Sequence, residues 1–204
     1  MEKYLQPSQI IDWQNPEILE LADRLAATAQ TTEEIAQACF EWVRDRIQHS
    51  YDYQMNPVTC RASDGLKYQT GYCFAKSHLL AALLRANQIP AGLCYQRLSL
   101  DDRGAPYTLH GLNAIFLPAT GWYRVDPRGN KHGVNAQFIP PQEQLAFEIR
   151  SDQESDFSNI FAEPLPIIVD VLQTSNTWQD VLTNLPDIVP DLWQEYHLVH
   201  NINI

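Results

Sequence analysis

The chain has 204 residues, of which 45% are hydrophobic and 19% charged, a composition typical of a folded globular protein. Its net charge is −11, and most of the excess falls after residue 139, where Arg150 is the single Lys or Arg. Because nucleic acids and anionic membranes are bound by clustered basic residues, we expect neither as a partner. No apolar run reaches the roughly 18 residues of a membrane span, and the first residues lack the apolar segment of a signal peptide, so we expect a cytoplasmic protein.

Two helices are predicted at the start of the chain. The first begins at Asn15-Pro16-Glu17, where an N-cap residue precedes a proline in the first helical position. Thr31 and Glu34 can form a capping box for the second helix, whose apolar stripe ends near Ile47. Residues 49–69 are polar and aromatic without a period, and we expect an irregular loop there.

A strongly apolar helix is predicted to start at Cys73 and to end before Pro90. The free N–H groups and positive dipole end of a helix start favour a thiolate, so Cys73 is a candidate nucleophile. The alternative is a buried structural cysteine. The four cysteines contain no C-x-x-C pair, so we expect reduced thiols and no metal site.

Three antiparallel strands are predicted next, over residues 91–100, 105–117 and 122–126. If Leu117 pairs with Gly121 across the second hairpin, His110 lies diagonal to Asp126 on one face of the sheet. Diagonal neighbours are about 7 to 8 Å apart at the backbone, within reach of an imidazole and a carboxylate. The register thus permits a His-Asp pair.

The remaining residues, from about 140 to 204, form an acidic and partly helical extension of a single domain that covers residues 1–204. The apolar run at 165–172 fits either a buried helix or a strand. Helices are predicted over residues 142–147, 176–185 and 191–199.

Three segments of the chain together resemble the core of the transglutaminase-like superfamily of papain-like cysteine enzymes. They read T-G-Y-C-F-A-K-S-H-L-L-A-A-L-L, H-G-L-N-A-I-F-L-P and G-W-Y-R-V-D-P-R-G, and the resemblance spans residues 33–131. It implies an α+β fold in which N-terminal helices and a nucleophile-bearing helix pack on an antiparallel β-sheet. It also implies that Cys73 is the nucleophile, His110 the general base and acid, and Asp126 the group that orients the histidine.

The reaction that this resemblance implies is acyl transfer from an amide through a thioester, without a cofactor or metal. A protease or amidase acting on a peptide, a protein or a small amide is the reading we favour. A transglutaminase, which transfers the acyl group to an amine, and a non-catalytic binding module of the same fold are the alternatives. The sequence does not indicate an oligomeric state.

Further residues are candidates for contacts with the substrate. A main-chain N–H at the Cys73 helix can supply one donor to an oxyanion, and Tyr51 or Gln69 in the preceding loop could supply a second. Asn113 and Arg128 lie near His110 and Asp126 in sequence and are candidates for the same site. His49 lies in the loop and could line the pocket.

Overall fold

The core of the molecule lies between a group of helices and an antiparallel sheet, as expected for the α+β class. The computed structural model describes residues 1–101 and 103–199. Within these residues, no helix is long and apolar enough to cross a membrane. The end of the predicted extension, residues 200–204, lies outside the described residues.

Two capped helices open the chain. Helix α1 spans Pro16–Ala26 and helix α2 spans Thr32–Arg46. The side chains of Asn15 and Thr31 each accept a hydrogen bond from a backbone N–H of the first turn, at 2.9 and 3.2 Å. Such caps satisfy donors that have no partner inside a helix. Both predicted helix starts are confirmed.

The segment predicted to be irregular contains short regular elements, so that prediction is wrong in part. These are β1 (Gln48–His49), α3 (Ser50–Tyr53), α4 (Ala62–Tyr68) and β2 (Thr70–Gly71). Helices of 4 and 7 residues have too few turns to produce a readable apolar period. Helix α4 also contains Gly65, a weak helix former, and ends at Gln69 in the left-handed region with φ 53°.

Helix α5, Cys73–Ala86, runs through the centre of the molecule. All of its residues from Cys73 to Arg85 are buried. It packs on α1, α2 and α4 on one side and on the sheet on the other. Because such a helix has neighbours on every side, its first residue is held rigidly.

The sheet is built on three long antiparallel strands, β3 (Ala91–Ser99), β4 (Tyr107–Leu117) and β5 (Gly121–Val125), with β4 in the middle. The predicted pairing of Leu117 with Gly121 is confirmed. Strand β5 ends opposite Asn113. The first half of β4 therefore has no strand partner on this side.

A helix predicted at residues 142–147 is instead half of a hairpin, formed by β6 (Gln137–Ile139) and β7 (Gln142–Gln144). The hydroxyl of Tyr123 donates to the carbonyl of Gln142 at 3.0 Å and accepts from the N–H of Ile139 at 3.1 Å. This contact with β5 fixes the hairpin. Local sequence carries no trace of such a distant partner, which is why the helix prediction failed.

The C-terminal extension folds back onto the core. Its elements are β8 (Ser155–Asp156), which is the edge strand beside β3, and the helices α6 (Pro166–Thr174), α7 (Trp178–Thr183) and α8 (Pro190–Val199). The run at 165–172 is thus largely helical. The Trp193 ring stacks on Phe157 with centroids 3.6 Å apart. Arg97 of β3 makes two hydrogen bonds to the Asp187 carboxylate, at 2.6 and 2.7 Å.

Candidate active site

Cys73 is the first residue of α5 and is 7% exposed. Strand β2 ends at Gly71, one residue before the N-cap Tyr72, and pairs in parallel with β1, which fixes the path of the chain into the helix. A Cβ on Gly71 would lie 2.9 Å from the Cβ of Ala75. Only glycine allows this close approach. The N–H groups of the first turn of α5 have no partner within the helix and are free to bind an anion.

His110 and Asp126 form a buried pair beside the cysteine. The His110 Nε2 and Asp126 Oδ2 atoms are 2.7 Å apart. Asp126 is fully buried, and its carboxylate also accepts the backbone N–H groups of Arg128 at 3.0 Å and Ala146 at 3.2 Å. Because Nε2 faces the carboxylate, Nδ1 is the ring nitrogen left for proton exchange with Cys73. The Cys73 sulfur lies beside this pair, since it accepts the N–H of Gly111, the residue after His110, at 3.5 Å. The structure therefore brings the three predicted residues together.

The charges in this cluster favour an imidazolium. Burial alone would lower the pKa of His110, but the charges of Asp126 and Cys73 and hydrogen bonds to both raise this pKa to about 10. Burial raises the pKa of Asp126, and the His110 charge together with the hydrogen bonds to the carboxylate outweighs it, so that pKa is lowered. A positive ring is thus held between a carboxylate and a sulfur at neutral pH.

Gly111 on β4 allows the nucleophile helix to reach the sheet. Its N–H donates to the Cys73 sulfur at 3.5 Å. A Cβ at this position would lie 2.8 Å from Cδ1 and 3.3 Å from Cα of Phe74, the residue after Cys73. The absence of a side chain therefore sets the distance between the cysteine and its histidine.

Cys73 and His110 open into a cleft of about 360 Å³. Its other walls come from the segment between α2 and α4, the ends of β3 and β4, the loops after β5 and β7, and α7. Arg128 and Lys131, which both form ion pairs with the Asp52 carboxylate, line the cleft together with His132. Its apolar lining consists of Leu98, Leu100, Leu109, Val134, Phe147, Leu182 and Leu185, and Tyr51 and Tyr72 also line it.

Two of the four further candidates lie in the cleft and two do not. Tyr51 and Arg128 line it, and Arg128 is held by two hydrogen bonds to the Asp52 carboxylate. Gln69 is exposed at the end of α4 and is not among the residues that line the cleft. Asn113 is fully buried and donates to the Ser77 carbonyl at 2.9 Å, beneath α5. Gln69 and Asn113 therefore do not line the cleft that holds Cys73 and His110.

His49 also lines the cleft, and the sequence analysis gave it no specific role. It is 7% exposed, and its ring meets Tyr72 edge-on with centroids 5.4 Å apart. Its Nδ1 atom has no hydrogen-bond partner and lies 3.8 Å from the Asp52 carboxylate. Burial first, and then the charge of Arg128, lower the pKa of His49 well below its usual value, so the ring is neutral. His49 lies in β1, which pairs with the strand before Cys73. A strand of two residues is too short to show an alternating pattern in the sequence, so this position could not be predicted.

A comparison with protein families supports the resemblance. The family model of the transglutaminase-like superfamily matches residues 19–127, which include Cys73, His110 and Asp126. Among curated proteins, none matches the chain significantly.

Solved structures to which the chain is similar include a proposed cysteine protease from Cytophaga hutchinsonii, with 19% identity, a TM-score of 0.49, and coverage of 61% of this chain and 40% of that one. They also include the periplasmic domain of TgpA from Pseudomonas aeruginosa, with 23% identity, a TM-score of 0.45, and coverage of 61% and 45%. The match spans less than half of each of these two chains.

Proposed function

Because the chain belongs to the transglutaminase-like superfamily, we propose that it is a cysteine-dependent hydrolase that cleaves amide bonds through a thioester on Cys73. The observation that carries the proposal is the place of the Cys73 sulfur, which accepts the N–H of Gly111 next to His110, a histidine whose Nε2 lies 2.7 Å from the buried Asp126 carboxylate. A cysteine nucleophile needs a base to take its proton and a third group to orient that base. The cluster contains a candidate for each role.

In the first half of the reaction, the Cys73 thiolate adds to the carbonyl carbon of the amide. The C–N bond then breaks, and the His110 imidazolium gives its proton to the departing amine. The N–H groups at the start of α5 face the negative oxygen that forms in between. Asp126 keeps the ring oriented, so that Nδ1 exchanges the proton.

In the second half, water attacks the thioester and gives one proton to His110, which releases a carboxylic acid and restores the cysteine. A primary amine in place of water would make the enzyme a transglutaminase. Incubation of a glutamine-containing peptide, with and without a primary amine, followed by mass analysis, separates these outcomes. Backbone cleavage or deamidation indicates hydrolysis, whereas an amine adduct indicates transfer.

Alkylation distinguishes an enzyme from a binding module, since the chain contains its own controls. Burial is the main cause that raises the pKa of Cys39, Cys60 and Cys94 to about 12, so these thiols are protonated at pH 7. Cys60 is 7% exposed, the same fraction as Cys73. We expect iodoacetamide to label Cys73 at least tenfold faster than Cys60, and Cys73→Ser to abolish both labelling and turnover while the protein remains folded. Equal and slow labelling of all four thiols would refute the proposal.

A further inference from the structure

The C-terminal wall of the cleft, residues 178–186, lies outside the part of the chain that the family model matches. Helix α7 places Leu182 there, and Leu185 follows just after the helix. Both leucines are half-buried and line the same cleft as Cys73 and His110. The cleft at the reacting centre therefore includes residues that the family match does not cover.

Two hydrogen bonds fix this wall next to the catalytic candidates. The Tyr72 hydroxyl donates to the Trp178 carbonyl at 2.6 Å, and the Leu109 N–H donates to the Pro186 carbonyl at 2.7 Å. Tyr72 precedes Cys73 in the chain, and Leu109 precedes His110. Both ends of the wall are thus attached to neighbours of the reacting residues, so its leucines stay at a set distance from the sulfur.

The surface that the wall completes is apolar. Four leucines line the cleft, namely Leu98 of β3, Leu109 of β4, and Leu182 and Leu185 of the wall. The one buried carboxylate among the lining residues, Glu154, accepts the N–H of Ser99 at 2.9 Å and that of Arg150 at 2.6 Å. Both of its oxygens are occupied by backbone donors. An apolar substrate side chain would displace water from these apolar walls, whereas a charged one would lose its hydration against them.

We propose that the C-terminal wall forms a subsite for an apolar side chain of the substrate, beside the amide bond that Cys73 attacks. The enzyme would then select amides of leucine-like or phenylalanine-like residues. This inference rests on the proposed function for its chemistry. A hydrophobic pocket of this kind discriminates by roughly 10- to 200-fold between side chains that fill it and those that do not.

The test compares pairs of peptide amides that differ only in leucine or asparagine, placed in turn on each side of the scissile bond. We expect the wild type to prefer leucine at one of the two positions by roughly tenfold or more in kcat/KM. Leu182→Ala combined with Leu185→Ala should bring this ratio close to one. The matched control is Leu192→Ala, since Leu192 is 53% exposed and lies outside the cleft, and it should keep the wild-type ratio.

A second variant distinguishes the loss of the subsite from a folding defect in the double alanine variant. Leu182→Phe enlarges the wall and should move the preference from leucine to alanine. A third measurement is independent of turnover: N-acetyl-leucinamide should protect Cys73 from iodoacetamide at lower concentration than N-acetyl-asparaginamide. Equal protection by the two, or an unchanged ratio in the wall variants, would overturn the subsite. Selective protection without turnover would instead overturn the proposed function alone.

Discussion

Replacement of Gly111 by alanine tests whether the distance between α5 and β4 controls the reaction. The added methyl would lie 2.8 Å from Cδ1 and 3.3 Å from Cα of Phe74, so ring rotation alone cannot relieve the contact. Gly111 is not in the left-handed region, which means that the effect comes from contact and not from backbone strain. The start of α5, including Cys73, must move away from the sheet.

The expected magnitudes follow from this overlap. Overpacking a close-packed core costs about 1 to 3 kcal/mol. For a chain of this size, the melting temperature should fall by roughly 2 to 12 °C. Turnover should fall further, since a displacement of about 1 Å at a reacting centre costs roughly 100-fold. The contact between the Gly111 N–H and the Cys73 sulfur, 3.5 Å in the wild type, would lengthen at the same time.

Calorimetry and kcat/KM on the same preparation provide the assay, and Gly65→Ala is the control. Gly65 also faces α5, but a Cβ there would make ordinary contacts of 3.7 Å with the Ala75 carbonyl and 3.8 Å with Leu79. We expect that control to keep its activity and to gain up to about 1 kcal/mol from helix propensity. Full activity in Gly111→Ala would show that the helix position does not set the chemistry.

Two further predictions concern pH. Asp126→Asn should retain a small residual activity. Its loss of unfolding free energy relative to wild type should be largest near pH 5 to 6 and should shrink towards pH 10. The reason is that the pKa of His110 in the folded protein is raised to about 10 from its usual value near 6.5. A constant difference between pH 6 and 10 would contradict the ion pair. For Lys76→Met, the difference in unfolding free energy should depend on pH in the opposite direction. Burial lowers the pKa of Lys76 to about 7, so the wild type should gain stability over the variant as the pH rises from about 7 to 10.5. Lys76 donates to the carbonyls of Arg44 and Ile47 at the end of α2, and urea titrations at both pH limits measure each difference.

Local sequence was sufficient where short-range rules decide the structure. The caps at Asn15 and Thr31 act within one turn, and the hairpin that pairs Leu117 with Gly121 sets the register of β4 and β5. This register put His110 diagonal to Asp126, the arrangement that the structure shows. The hairpin at residues 137–144 could not be found in this way, since a tyrosine of another strand holds it.

At the candidate site, too, local patterns located some residues and missed those that depend on distant contacts. The helix start and the motif order identified Cys73, and strand alternation placed His110 near Asp126. The same alternation places Asn113, three residues after His110, on the opposite face of β4, and its side chain is indeed bound beneath α5. Parity could therefore have excluded Asn113. His49 and the C-terminal leucines depend on contacts between segments far apart in the chain, which no local pattern encodes.

The short length of β5 explains how these distant parts meet at one place. Residues two apart on a strand point their N–H groups to the same edge, and β5 covers this edge of β4 only as far as Asn113. The next two donors on that edge, Gly111 and Leu109, must find other partners, since buried N–H groups are rarely left unpaired. Gly111 donates to the Cys73 sulfur and Leu109 to the Pro186 carbonyl of the C-terminal wall. The edge of β4 that β5 leaves uncovered thus supplies a donor to the nucleophile and an attachment point for the proposed subsite, which places the subsite next to the bond that the cysteine would attack.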